Sequence, residues 1–144
     1  MSKYFESYRG VVLASECDLI GHMNIQFYGA CVSQAMQTLF GKIGFSSAVI
    51  KKNKRGFAAV GQNCRYSGEL LAGDIVHMQT AILDYTPKSI ICSHRLYNSA
   101  TDALSYETTL TALHFDMAAR KVISFNDEAL DLIKALKISE EVSQ

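Results

Sequence analysis

The chain has 144 residues, with fourteen Lys and Arg balanced by fourteen Asp and Glu, and 49% of it is hydrophobic. That length fits one domain, 1–144, able to bury a sizeable core. Zero net charge excludes the large basic footprint of a nucleic-acid binder.

In chain order, the opening MSKYFESYRG shows no charged stretch followed by an apolar run, so no secretory leader is expected. Residues 8–14 (YRGVVLA) predict a first strand, followed by a polar, glycine-containing turn, ECDLIGHMN. Apolar residues then recur at Ile25, Tyr28, Val32, Ala35, Met36, Leu39 and Ile43, spacings that predict a helix of about five turns. Asn24 is its candidate cap. Phe27, Ala30, Cys31 and Phe40 flank that face, and no charge appears before Lys42, so a sheet covering the helix on most sides is expected. Leu19 to Gly41 is also the longest uncharged run. His22, Asn24, Gln26, Ser33, Gln34 and Gln37 interrupt it, which excludes a membrane span of the roughly 18 apolar residues required.

Four long strands follow: Phe57–Tyr66, Ile75–Tyr85, Ser89–Tyr97 and Leu104–Asp116, rich in β-branched and aromatic residues. Their short links, SGELLAGD, the turn at Pro87 and NSATD, predict antiparallel neighbours. A closing helix fits Asp127–Lys137, capped by Asn126. The predicted class is α+β, with an antiparallel sheet wrapped around one long central helix. Strand residues apolar on both parities, such as Ile90 and Ile91, point to a second subunit over the sheet or its edge. The four cysteines (Cys17, Cys31, Cys64, Cys92) stand apart, with no CxxC, so reduced thiols, no metal site and a cytoplasmic compartment are expected.

The turn before the helix is the most informative stretch. Asp18, His22 and Asn24, a carboxylate, an imidazole and a carboxamide, lie within seven residues and lead into a helix N-terminus. The first N–H groups of a helix lack internal acceptors and suit a developing oxyanion. A carboxylate beside them can activate water or attack a carbonyl directly. An ordinary cap-and-turn is the alternative. His77, His94 and His114 fall on separate strands and read as structural or exposed.

Asp18, Gly21-His22-Met23-Asn24 and Tyr28, set between a first strand and a long helix, together with Gly73-Asp74 opening a later strand, resemble the hotdog-fold acyl-CoA thioesterases of the 4-hydroxybenzoyl-CoA thioesterase type. The form GHMNIQFY is similar to the subgroup acting on betainyl- or carnitine-type CoA thioesters. The resemblance spans residues 5–125. It implies Asp18 as the catalytic base or nucleophile and the Ile25 backbone N–H as oxyanion donor. His22 and Asn24 would shape the turn and hold water or substrate, and Gly21 and Tyr28 would contact substrate. Gln62, Asn63 or His77 would arrive from the partner's strands of a homodimer or homotetramer. Coenzyme A enters as part of the acyl-CoA substrate, with no further cofactor.

The sequence departs from the pattern where Ile25 replaces a second Asn and where Arg120–Ser124 lacks prolines. Some hotdog thioesterases carry their carboxylate inside the long helix, and this helix has none, which points back to Asp18. The cluster Lys51, Lys52, Lys54 and Arg55 reads as a solvated loop or as a dock for the coenzyme A phosphates, with Arg65, Lys88 and Arg120 competing. A hotdog hydratase would place four residues, one a proline, between Asp and His; three lie between Asp18 and His22. A non-catalytic acyl-CoA binder is the other alternative.

Overall fold

The structure, a computed structural model, describes residues 3–139. The first two residues, part of the leader reading, lie outside it. The elements are β1 (Phe5–Val11), α1 (Ile25–Lys42), α2 (Ser47–Asn53), β2 (Arg55–Tyr66), β3 (Ile75–Thr86), β4 (Ser89–Asn98), β5 (Ala103–Asp116), β6 (Lys121–Val122) and α3 (Asp127–Leu136). The strands form one antiparallel sheet in the order β1-β3-β4-β5-β2, with β6 beside β5. This is the hotdog arrangement, a curled sheet holding a long helix.

The four long strands and both predicted helices lie where periodicity and caps place them. Asn24 accepts from the Gln26 N–H at 3.1 Å and Asn126 from the Ala129 N–H at 2.8 Å. Four expectations need correction, the last of them the cover over α1. The first strand runs 5–11 rather than 8–14. It ends where Val12 leaves the ladder to exchange backbone hydrogen bonds with Gly73 and Asp74. Next, β2 and β3 are not neighbours although a short linker joins them, because β2 pairs with β5 at the far edge. Crossing three strand spacings takes about 14 Å, well within the reach of an eight-residue linker. Linker length alone therefore did not fix the pairing. Third, the basic segment is not a loop: Ser46 caps α2, which contains Lys51 and Lys52, and Lys54 closes it in a left-handed conformation (φ 55°).

The sheet covers one face of α1, not most of it. Tyr28, Cys31, Val32, Ala35, Met36, Leu39 and Phe40 are buried, whereas Gln26, Gly29, Ala30, Ser33, Gln34 and Gln37 are exposed. Apart from Ile25 in the first turn, the exposed face carries small or polar residues, for which solvent costs little. Phe40 stacks on Phe57 at 4.2 Å, and Phe45, Phe125 and His114 complete that aromatic end of the core. Under the middle of α1 runs a buried polar chain. Ser7 Oγ meets Thr80 Oγ1 at 2.6 Å, and Thr80 Oγ1 meets His94 Nδ1 at 2.7 Å. His94 Nε2 in turn lies 3.0 Å from Met36 Sδ and 3.5 Å from Cys92 Sγ. His94 and His114 are thus core residues, as their strand positions suggested.

All four cysteines are free, with Cys31 and Cys92 buried, Cys17 half-buried and Cys64 exposed. Among the described residues no helix is long and apolar enough to cross a membrane. The last strand in the sheet order, β2, is exposed from Ala59 to Tyr66.

Candidate active site

The turn between β1 and α1 is held from three sides. Cys17 and Met23 bridge across its base, the Met23 N–H donates to Leu70 O at 2.8 Å, and the Asn24 N–H donates to Glu16 O at 2.8 Å. Glu16 is itself fixed, accepting from the Leu13 N–H at 2.8 Å. At the tip, the Asp18 N–H donates to His22 O at 2.9 Å and the Gly21 N–H donates to Asp18 O at 3.0 Å. Gly21 sits at φ +87°, a left-handed position that glycine adopts without strain. It does not line the cavity described next.

Asp18 Oδ1 accepts from the Ile20 N–H at 3.0 Å and the His22 N–H at 3.4 Å. Its other oxygen has no protein partner among the described residues. Asp18, His22, Met23, Ile25, Tyr28, Tyr66, Ser67, Gly68 and Glu69 line one open cavity of about 450 Å³. The Ile25 N–H, first in α1, finds no acceptor among the described residues, because Asn24 caps Gln26 instead. Asp18 and the first residue of α1, whose N–H has no acceptor among the described residues, thus border the same space. Its far wall is aromatic: Tyr28 meets Tyr66 edge-on at 5.2 Å, and buried Tyr106 lies behind both at 4.9 and 5.0 Å. Burial pushes the Tyr28 phenol above its ordinary value, so the ring stays neutral.

Of the other predicted residues, Asn24 acts as helix cap and His22 faces the cavity. Gln62 points to the concave side of β2, where its amide donates to Tyr106 Oη at 3.5 Å. Asn63 faces the opposite side of the sheet, beside Arg65, Arg95 and Glu107. His77 is also on that outer face, bonded to Ser99 Oγ at 2.7 Å and stacked on Tyr97. Asn63 and His77 do not meet Asp18 within the protomer. Of the basic candidates, only Arg65 stands beside a cavity residue. Arg55 begins β2 about 35 Å of strand away from Tyr66 and lies 3.7 Å from Asp116, and Lys88 and Arg120 are at that same distant end.

Sequence reasoning missed Glu69, whose carboxylate pairs with His22 Nε2 inside the cavity. It lies in the segment SGELLAGD, which reads as a bare connector. No local signal marks it: the connector runs from the edge strand β2 to the inner strand β3, and the strand order that brings it to the Asp18 turn is set by long-range pairing. Among the described residues no three His, Cys, Asp or Glu side chains cluster as a metal site would require.

Comparison with known proteins agrees with the fold. The thioesterase-like superfamily matches residues 12–136. A hypothetical protein of Staphylococcus aureus solved in complex with CoA is 15% identical, with a TM-score of 0.85 over 100% of this chain and 94% of its own. A putative thioesterase from Pseudomonas putida is 23% identical, with a TM-score of 0.82 over 98% and 90%. A DHNA-CoA thioesterase from S. aureus is 20% identical, with a TM-score of 0.81 over 94% and 97%. Among curated proteins no sequence matches significantly. With nearly its whole length matched by one family and its fold shared with CoA-binding and thioesterase structures, the chain belongs to the thioesterase-like superfamily.

Proposed function

We propose that the protein hydrolyses an acyl-CoA thioester to the free acid and CoA. The observation that carries this reading is that Asp18, Tyr28 and Ile25, whose N–H has no acceptor among the described residues, line one cavity. The thioester oxygen would sit against the Ile25 N–H at the positive end of α1, where negative charge develops as the carbonyl becomes tetrahedral. Asp18 would take a proton from water, or attack the carbonyl carbon itself to form an anhydride that water then opens. Coenzyme A is then part of the substrate, and no other cofactor is called for. The tyrosine-lined wall suits a flat aryl acyl group or a quaternary ammonium such as a betainyl or carnitinyl group, both of which bind aromatic faces. The relative solved with CoA supports the same carrier.

The working form would be a homodimer or homotetramer. Asp18 is exposed in the single chain, and the surface around it is apolar. Leu19 is fully exposed, and Ile20, Ile25, Tyr66 and Leu71 are 77%, 62%, 47% and 48% exposed. Such a patch beside the bare edge of β2 calls for a covering subunit.

Thiol release from acyl-CoAs of graded length, with aryl and betaine-like members, tests the reading. Asp18→Asn should lower kcat by about 10²–10⁴-fold on the preferred class without unfolding the protein. Binding without turnover in the wild type would make the domain an acyl-CoA binder, with Asp18 serving only the turn it caps.

A further inference from the structure

Glu69 belongs neither to the motif nor to any element of the sheet, yet its carboxylate sits against His22 Nε2 in the cavity that holds Asp18. A structural latch is the plain explanation for such a pair, and the structure makes that latch redundant. The linker carrying Glu69 is already fastened to the turn by backbone, through the Met23 N–H to Leu70 O at 2.8 Å and the bridge between His22 and Leu71. Both side chains are also open to solvent, 38% and 61% exposed, where an ion pair adds little to stability. What the pair does fix is the ring. With Nε2 held by Glu69, Nδ1 is the nitrogen left for a ligand, and it has no protein partner among the described residues.

We infer that Glu69 is a positioning residue: it holds His22 in the cavity with Nδ1 free, so that His22 delivers a proton to the departing sulfur. The inference rests on the thioesterase reading and assigns the half of the reaction that Asp18 leaves open. After water, deprotonated by Asp18, has added to the carbonyl carbon, the tetrahedral centre collapses and the C–S bond breaks. Its electron pair goes to sulfur, and sulfur takes the Nδ1 proton of the imidazolium. The ring is left neutral, with Nε2–H still donating to Glu69. The proton held by Asp18 returns the imidazole to its charged form through solvent, so no oxidant, metal or second substrate enters. Carboxylate, imidazole and second carboxylate thus divide the work, with Asp18 on the attacking side and His22, aimed by Glu69, on the leaving side.

The test uses the full-length protein and two esters of one acyl group, the CoA thioester and the thiophenyl ester. The thiophenyl ester releases a thiolate weakly basic enough to leave without a proton. Glu69→Gln should lower kcat on the CoA thioester by about tenfold or more with KM nearly unchanged, and lose far less on the thiophenyl ester. Its melting temperature should stay within about 2 °C of wild type. Glu69→Asp should recover part of the loss, and Glu69→Gln should add nothing in a His22→Gln background. Equal losses on the two esters, or additive losses in the double variant, would overturn the inference while leaving the thioesterase reading intact. A wild type silent on every thioester would sink that reading and the proton-delivery role with it.

Discussion

Acidification should destabilise this fold chiefly through His94. Burial in the core lowers its pKa from 6.5 to about 4. Its ring is fully buried between Thr80 Oγ1 at 2.7 Å and the sulfurs of Met36 and Cys92 at 3.0 and 3.5 Å, with no carboxylate among these partners. In the unfolded chain the imidazole takes up a proton below about 6.5, whereas in the core it resists until about 4. Between those values the unfolded state binds more protons, so this contribution to stability is fully present above about 6.5, falls through the window and is gone below about 4. A difference of about 2.5 pKa units corresponds to about 3 kcal/mol, a large share of a small domain's margin. Burial also lowers the pKa of His114, beside Phe45 and Phe125, which adds to the trend in the same direction. The assay is urea unfolding at half-unit pH steps from 7.5 to 4 for wild type and His94→Asn. The variant starts less stable because it loses packing against α1, but its curve should be flatter by about 3 kcal/mol over the window. Parallel curves would refute the assignment.

Two further outcomes follow from the turn and from the edge of the sheet. Gly21→Ala meets no atom within 4 Å, so its cost is the left-handed backbone alone, about 1–2 kcal/mol in a melt, with Gly21→Asn milder. Val60→Lys, at an exposed residue of the bare β2 edge, should shift the protein toward monomer in sedimentation and lower its turnover in step, if a second copy covers the cavity.

The fold was legible where local chemistry and tertiary demand agree. The spacing from Tyr28 to Phe40 marked the buried face of α1 because a helix against a sheet needs one such stripe. Asn24 and Asn126 marked helix starts because the cap bonds they make are local. Strand order was not legible, since antiparallel pairing of β2 with β5 rather than β3 depends on long-range registry that a linker of adequate length leaves open. The candidate site was half visible for the same reason. Asp18, His22 and Asn24 are close in sequence, whereas Glu69 reaches His22 across 47 positions only after the sheet has formed. Gly21 reads as a contact residue in the sequence, and its left-handed φ, which the sequence does not show, gives it a conformational role as well.

The basic cluster on α2 is remote from its own cavity, yet twofold symmetry would bring a copy of it close. If the exposed run Ala59–Tyr66 pairs with itself in an antiparallel dimer, the partner's Ala59 lies opposite Tyr66. The partner's Arg55 then falls beyond Tyr66, alongside the linker that carries Glu69, with Lys51, Lys52 and Lys54 following. In such a dimer, strand polarity would turn the farthest cations of one chain into near neighbours of the other's cavity, where the phosphates of a bound coenzyme A would emerge. Replacing Lys51, Lys52 and Lys54 with Glu should therefore raise KM about tenfold for a CoA thioester and leave it unchanged for the same acyl group on N-acetylcysteamine, which carries no phosphate. Equal change on the two substrates would show that α2 serves the fold and not the ligand, and would return Arg65, beside Tyr66 in the same chain, as the phosphate contact to test.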